Sequence, residues 1–194
     1  DLMAGPLELL TGSMEIEGVA DLPVVPLRRR HFALWPGVVK RALDMLASLL
    51  LLILTAAVWL IVPPLIRRET GGSAVFEQTR IGFKGRPFTM LKFRTMRCDA
   101  DQYAPSPVHD EDERITPVGR WLRRFSLDEL PQLLNVLRGE MSLVGPRPEM
   151  PFLVEHYQPW QRLRLEVRPG LTGLWQILGR KDLPLVENIE YDFY

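Results

Sequence analysis

One uncharged, apolar segment constrains this chain more than any other feature. From Met45 to Ile66 the sequence reads MLASLLLLILTAAVWLIVPPLI, without an acidic or basic residue. As a straight helix it would extend roughly 33 Å, enough to cross a hydrocarbon core of about 30 Å. The alternative is a buried helix of a soluble domain, but buried segments of this length rarely lack charge. We therefore expect a helix that enters a membrane.

The flanks of this segment argue against a simple crossing. Basic residues stand on both sides of it: Lys40, Arg41, Arg67 and Arg68. Short basic flanks favour the cytoplasmic side of a membrane, so a segment with two such flanks must enter and return. Pro63 and Pro64 would supply the membrane kink, because each proline removes a helical hydrogen bond. We predict a re-entrant helical hairpin over residues 38–70 in preference to a transmembrane span.

Asp44 is the acidic residue nearest to the start of the apolar segment. Arg41 precedes it by three residues, a spacing at which two helical side chains are neighbours. We predict an ion pair between them that neutralises the carboxylate.

Composition limits the fold and the partners. The 194 residues carry 24 basic and 24 acidic side chains, a net charge of +0 that gives no indication of nucleic-acid binding. The single cysteine, Cys98, excludes an intrachain disulfide framework. Seventeen prolines indicate many turns and broken helices. We expect an α+β chain, membrane-associated, in which the helical hairpin joins a small globular domain of short helices and few strands.

Two cations lie on one predicted strand of this domain. Short strands are expected at Val75-Phe76 and at Phe88–Met96, joined through a turn at Lys84-Gly85. Side chains alternate along a strand, so Lys92 and Arg94 share a face. A solvated strand face is the alternative to an anion-binding one.

Two adjacent acids, Asp128 and Glu129, precede a short amphipathic helix predicted over Leu130–Arg138 and ended by Gly139. The helix cap could be Ser126, which matches a capping box, or Asp128, which places Pro131 in the first turn. Asp128 could therefore be only a helix cap, worth about 1 kcal/mol.

Arginines surround this acid pair in the sequence. Thr116-Pro117 predicts a helix start, a cap followed by a proline at the first helical position, and that helix carries Arg123. The sequence Gly145-Pro146-Arg147-Pro148 predicts a rigid turn that holds one guanidinium, a group suited to bidentate phosphate binding. Acids beside a helix start with fixed arginines nearby favour phosphoryl chemistry.

Taken together, these motifs resemble those of the bacterial monotopic phosphoglycosyl transferases, also called polyprenyl-phosphate sugar-1-phosphate transferases. The resemblance covers nearly everything after residue 38, and its most specific blocks are SLDELPQL and SLVGPRP. Other matching pieces are KRALD at Lys40–Asp44, KFRTM at Lys92–Met96 and VRPGLTGLWQILGR from Val167. The family usually breaks its membrane helix at a Ser-Pro pair, where this chain has Leu54-Thr55-Ala56.

The resemblance implies a reaction and roles for the residues. It implies transfer of a sugar-1-phosphate from a nucleotide sugar, most commonly a UDP-hexose, to polyprenyl phosphate, as the first membrane step of exopolysaccharide, capsule or O-antigen synthesis. Asp128 would be the catalytic nucleophile that forms an aspartyl-phosphosugar intermediate, and a metal contact for Mg²⁺. Glu129 would be the second catalytic acid. The expected substrate-binding cations are Lys92, Arg94, Arg123 and Arg147.

The resemblance also implies an organisation and a location. Residues 1–37 resemble the end of a Rossmann-like domain and its linker, and residues 71–194 the catalytic domain, which we expect to continue beyond Tyr194. The expected location is the cytoplasmic face of the bacterial inner membrane, and a homodimer is left open. The competing hypothesis is a catalytically silent, membrane-anchored scaffold subunit of a glycan assembly pathway. The sequence leaves the sugar, the nucleotide and the polyprenol open.

Overall fold

The computed structural model describes residues 17–19, 22–24, 34–101, 107 and 112–178. Over these residues the chain mixes helices with short strands, so the predicted α+β class is confirmed. The helices are α1 (Leu34–Leu54), α2 (Ala56–Thr70), α3 (Pro117–Arg124), α4 (Gln132–Arg138), α5 (Pro151–Glu155) and α6 (Leu174–Leu178). The strands are β1 (Glu17–Val19), β2 (Leu22–Val24), β3 (Val75–Ile81), β4 (Pro87–Phe93), β5 (Ser142–Val144) and β6 (Gly170–Thr172).

The chain divides into two units, residues 1–37 and 38–194. In the first unit, β1 and β2 form an antiparallel hairpin in which Glu17 lies opposite Val24. The Rossmann-like origin of residues 1–37 stays a prediction. The prediction about the end of the catalytic domain falls on residues after 178, outside the described part of the chain.

In the second unit, α1 and α2 meet at Thr55, where the chain bends by 64°. The hydroxyl of Thr55 donates to the carbonyl oxygen of Leu51 at 2.7 Å, and the next helix begins as Val58 N donates to the Thr55 carbonyl oxygen at 2.9 Å. A threonine that bonds back to the preceding turn is a recognised cause of helix bending. The break therefore falls where the family has its Ser-Pro pair.

The prediction that Pro63 and Pro64 mark the kink was wrong. Both prolines lie inside α2, eight and nine residues after the break. They cannot donate to the carbonyls four residues before them, yet the helix continues. Val62 and Ile66 beside them are buried in the core, and this packing holds the segment helical.

Neither α1 nor α2 alone combines the length and the apolar character needed to cross a bilayer, whereas the bent pair Gly37–Leu54 and Ala56–Thr70 meets that test together. This finding concerns length and composition within the described residues. Membrane insertion and the re-entrant path stay predictions.

The helix pair has a packed side and an exposed apolar side. Val62 and Ile66 join Phe93 and Leu122 in the main core cluster. Large apolar side chains of the other side are more than half exposed: Leu43, Leu46, Leu49, Leu50, Ile53, Leu54, Leu60 and Ile61. A contiguous apolar surface of this kind is typical of a protein or membrane interaction site.

Asp44 connects α1 to β5. Lys40 Nζ donates to both of its carboxylate oxygens at 2.8 and 2.9 Å, and Ser142 Oγ donates to Oδ2 at 2.8 Å. The predicted pair with Arg41 was wrong. Arg41 donates instead to the last carbonyls of α4, where the negative end of the helix dipole favours a cation.

The antiparallel β3–β4 hairpin pairs Val75 with Phe93. The predicted turn at Lys84-Gly85 is confirmed, since both residues adopt left-handed φ angles of 56° and 72°. β4 ends at Phe93 rather than at Met96. The hairpin packs against the region that carries Asp128, since β4 contacts both α4 and the 3₁₀ turn Leu127–Glu129.

The helix start at Thr116 is confirmed. Its side chain accepts a hydrogen bond from the N–H of Gly119 at 3.0 Å, and Pro117 is the first helical residue. Gly139 ends α4 with a φ of 86°, as predicted.

Candidate active site

Asp128 lies in the 3₁₀ turn Leu127–Glu129, which the chain enters through Ser126 at a φ of 55°. Neither this turn nor α4 has a side-chain cap hydrogen bond, so the cap predicted at Ser126 or Asp128 was wrong. The N–H groups of Glu129 and Leu130 donate instead to the carbonyl oxygens of Ser126 and Leu127. The stabilising role that would have explained Asp128 without chemistry is therefore absent from these elements.

The Asp128 carboxylate is poorly solvated. Its Oδ1 is buried and has no hydrogen-bond partner among the described residues. Burial raises the pKa of this carboxyl group; Lys92 and Arg123 lower it and Glu129 raises it further. A buried acceptor that lacks a donor carries a free-energy cost, and such groups concentrate at functional sites.

A single cavity of about 130 Å³ collects the predicted cations around this acid. Asp128 lines it. So do Lys92, Arg94, Arg123 and Arg147. They come from β4 and the residue after it, from α3, and from the turn after β5. The structure therefore brings together every predicted catalytic and substrate-binding residue except Glu129.

Glu129 faces a different space from Asp128. Its Oε1 accepts from Lys92 Nζ at 3.1 Å, and its side chain lines a second depression together with Thr172 and Gln176. Lys92 thus stands between the two acids. The direct catalytic role of Glu129 stays a prediction.

Two of the cations are held by neutral groups. Arg94 Nε donates to the Ser73 carbonyl oxygen at 2.8 Å and its guanidinium lies 5.7 Å from the Phe76 ring centroid. Arg123 Nη2 donates to the Pro107 carbonyl oxygen at 3.3 Å. These contacts fix the guanidiniums without neutralising them, which leaves positive charge at the cavity.

Sequence reasoning missed three charged residues of the cavity, Arg80, Arg97 and Asp101. Gln78 Oε1 accepts from Arg80 Nε and Nη2 at 3.1 and 2.7 Å. Burial lowers the pKa of Arg80 to about 10, Glu149 raises it and Arg147 lowers it. A longer predicted β3 would have placed Gln78 and Arg80 on one face. Asp101 lies in an acidic stretch of sequence that also contains prolines, and the spacing of its acids did not indicate a binding site.

The donor set suits a magnesium ion that arrives with its substrate. No group of three acidic, histidine or cysteine side chains suited to a metal is present among the described residues. Asp128 and Asp101 nevertheless line the same cavity, and one Asp128 oxygen is buried without a donor. Mg²⁺ is commonly held by one or two carboxylates together with substrate phosphates and water, so these residues fit it.

A desolvated carboxylate facing several fixed cations is the arrangement expected of a phosphoryl-transfer site. Comparison with known proteins agrees. The family model described as bacterial sugar transferase matches residues 35–194, and the chain therefore belongs to the bacterial sugar transferase family. The predicted family and enzyme class, phosphoglycosyl transferase, are confirmed.

Individual relatives are similar over most of the chain. The exopolysaccharide production protein ExoY of Rhizobium meliloti is 42% identical, over 80% of this chain and 76% of its own length. The UDP-glucose:undecaprenyl-phosphate glucose-1-phosphate transferase of Caulobacter vibrioides is 49% identical, over 72% of this chain and 54% of its length. The galactosyl transferase CpsE of Streptococcus agalactiae is 43% identical, over 92% and 42%. The chain thus spans about half the length of the latter two.

Proposed function

We propose that this protein transfers a sugar-1-phosphate from a nucleotide sugar, a UDP-sugar in the first instance, to polyprenyl phosphate. The observation that carries the proposal is the buried Asp128 oxygen, which no described residue bonds, in a cavity lined by four predicted phosphate-binding cations. The Caulobacter relative, named as a UDP-glucose:undecaprenyl-phosphate glucose-1-phosphate transferase, supports the choice of substrates.

In the first step, an Asp128 carboxylate oxygen attacks the phosphorus that carries the sugar. The bond from that phosphorus to the bridging oxygen breaks, and the nucleoside monophosphate leaves with the electron pair. The product is an aspartyl-phosphosugar, and its formation divides one difficult transfer into two easier ones.

In the second step, a phosphate oxygen of the polyprenyl phosphate attacks the same phosphorus. The bond to Asp128 breaks and the carboxylate is restored. The product is a polyprenyl diphosphate sugar, the starting lipid for exopolysaccharide, capsule or O-antigen assembly.

The cations stabilise charge as it moves between oxygens. Lys92, Arg94, Arg123 and Arg147 are proposed to bind the phosphoryl oxygens, with the rigid Arg147 turn as the firmest assignment. Asp128 and Asp101 would hold a Mg²⁺ ion, which when bound supplies Lewis-acid neutralisation of the diphosphate. Glu129 is proposed to act through Lys92, since its carboxylate bonds that side chain.

The helix pair supports a site at the membrane surface. Both ends of its uncharged apolar segment are fixed to the same globular unit. Asp44, in the middle of α1 and directly before the segment, bonds Ser142, and Ile66, at the end of the segment, lies in the core. A segment held in this way returns to the side that it left. We therefore propose the re-entrant path, with the globular unit on the cytoplasmic face of the inner membrane.

Purified Asp128→Asn protein tests the proposal against the scaffold hypothesis. Asn matches the shape of Asp but cannot form the acyl phosphate. With a UDP-sugar and polyprenyl phosphate, we expect release of nucleoside monophosphate to fall by at least about a thousandfold. The exposed Glu155→Gln variant is the matched control and should retain activity. Equal release by the Asp128→Asn and wild-type proteins would exclude the nucleophile and favour the scaffold.

A further inference from the structure

The backbone of the turn that carries Arg147 accepts hydrogen bonds from two buried arginines. Arg164 Nη2 donates to the carbonyl oxygen of Arg147 itself at 2.8 Å. Arg80 Nη1 donates to the carbonyl oxygen of Pro148 at 3.3 Å. The two arginines are only 3% and 7% exposed, respectively. The backbone of the turn is therefore fixed by long side chains from two distant parts of the sequence.

Arg164 does not line the cavity of Asp128. It belongs to the 3₁₀ turn Gln161–Glu166 and lines a small separate space behind the Arg147 turn. Its Nη1 donates to the hydroxyl of Tyr157 at 2.5 Å, and Tyr157 is itself 6% exposed. Any effect of Arg164 on the reaction must therefore pass through the turn.

The opposite side of the turn is fixed by β6 and the residues beside it. Gly145 N donates to the carbonyl oxygen of Thr172 at 2.9 Å, and Gly170 N donates to that of Pro146 at 2.8 Å. A side chain at Gly170 would collide with the backbone of Gly145. With β6 on one side and Arg164 on the other, the turn has little freedom to rotate.

Burying a guanidinium costs several kcal/mol unless it is well bonded. Arg164 donates hydrogen bonds to the hydroxyl of Tyr157 and to the carbonyl oxygen of Arg147. Rigid placement of a binding group is worth much in catalysis, since a displacement of about 1 Å can cost roughly a hundredfold in rate. The position of Arg147 is the property that this buried charge controls.

We propose, on the basis of the proposed function, that Arg164 is a positioning residue for the reaction. Its bond to the Arg147 carbonyl sets the orientation of the turn, and thereby directs the Arg147 guanidinium towards the diphosphate of the nucleotide sugar. Tyr157 holds Arg164 in the conformation that makes this bond.

A double-mutant cycle between Arg164→Lys and Arg147→Ala tests this inference. Lysine keeps the charge but cannot bond the Arg147 carbonyl and the Tyr157 hydroxyl as a guanidinium fork does. We expect kcat/KM for the UDP-sugar to fall about tenfold or more in Arg164→Lys. In the Arg147→Ala background, the same substitution should have almost no further effect. Arg162→Lys, in the same 3₁₀ turn but exposed, is the matched control and should behave as wild type.

A structural role alone gives a different pattern. An equal loss from Arg164→Lys in both backgrounds, or no loss in either, would overturn the inference. Should Arg164→Lys fail to fold, Tyr157→Phe gives the same cycle with a smaller loss, because only one of the two bonds is removed.

Calorimetric binding of UDP to the same variants separates this inference from the proposed function. A cycle that appears in UDP binding while no variant transfers sugar phosphate would contradict the function and support the positioning role. Transfer that depends on Asp128, with no coupling between Arg164 and Arg147, would support the proposed function and contradict the positioning role.

Discussion

At Asp128, the chemistry of one residue is set by the backbone around it. The 3₁₀ turn provides the N–H groups of Glu129 and Leu130 with carbonyl partners, so the carboxylate is not used as a cap. It is instead buried in the cavity, and one of its oxygens has no hydrogen-bond partner within the described part of the chain. The free-energy cost of burying this carboxylate should be measurable as a change in the stability of the protein.

We predict that Asp128→Asn stabilises the protein at neutral pH. Burial raises the pKa of the Asp128 carboxyl group, so the folded protein holds this proton more tightly than the unfolded chain does. That linkage stabilises the fold at low pH and is lost as the pH rises through the raised pKa. The melting temperature of Asp128→Asn should therefore exceed that of the wild type at pH 7, with a gain of about 1 kcal/mol.

The gain from Asp128→Asn should shrink as the pH falls to the ordinary carboxyl range, because the wild-type side chain is then neutral too. Glu155→Gln, at an exposed position, should show no such trend. A lower melting temperature for Asp128→Asn at pH 7 would contradict the assignment of a raised pKa.

At the residue scale, motifs predicted most of the charged residues that line the cavity. Strand alternation placed Lys92 and Arg94 on one face, and the family resemblance implied their substrate-binding role. The Arg147 turn followed from the flanking prolines. Arg164 could not be predicted, because it reaches the turn through a fold-dependent contact across 17 residues. The predicted partner of Asp44 was wrong because helical spacing allows both Arg41 and Lys40. Arg41 bonds the nearby α4 carbonyls instead, which leaves Lys40 as the partner.

At the scale of elements, the distance to a neighbouring backbone decides whether a helix position tolerates a side chain. Gly119 lies in α3 directly against the backbone of Thr95, and a Cβ there would overlap the Thr95 carbonyl oxygen. Gly37, in α1, has no atom within 4 Å of such a Cβ. The two glycines therefore form a matched pair for the same substitution.

We predict opposite effects of alanine at these two positions. Gly37→Ala should stabilise the protein by about 0.5–1 kcal/mol, the ordinary gain from helix propensity. Gly119→Ala should destabilise it by about 1–3 kcal/mol, because α3 must move away from Thr95. Chemical denaturation of the purified variants measures both. A gain in stability for Gly119→Ala would show that α3 does not pack against Thr95 as described.

The helix break shows what sequence could not decide at this scale. Pro63-Pro64 was the strongest local signal for a kink, but α2 continues through it because Val62 and Ile66 are buried in the core. The break occurs instead at Thr55, whose hydroxyl bonds the preceding turn. Tertiary packing, which sequence alone does not show, therefore decided that the helix breaks at Thr55 and not at the prolines.

At the scale of the whole molecule, the globular unit holds both ends of the apolar helix pair. Asp44, directly before the apolar segment Met45–Ile66, bonds Ser142, and Ile66, at the end of that segment, is fully buried. An exposed apolar surface lies between these anchors. This arrangement predicts that the segment enters and leaves the membrane on one side.

Cysteine labelling in membranes tests this topology. In a Cys98→Ser background, Gly37→Cys places a single thiol in the first turn of α1, and Ser73→Cys places one after the end of α2. An impermeant maleimide should label both from the cytoplasmic side of inverted vesicles and neither from the periplasmic side of spheroplasts. Labelling of the two positions from opposite sides would establish a transmembrane span and contradict the re-entrant path.

The central claim is that Asp128 itself becomes bonded to the sugar phosphate, and trapping that bond tests it most directly. The protein is mixed with its UDP-sugar and Mg²⁺ without polyprenyl phosphate, quenched, and analysed by intact and peptide mass spectrometry. We predict one added sugar phosphate per protein, located on the peptide that contains Asp128, lost on addition of polyprenyl phosphate and absent from Asp128→Asn. Rapid transfer to lipid by a protein that never carries this adduct, or an adduct on another residue, would contradict the account.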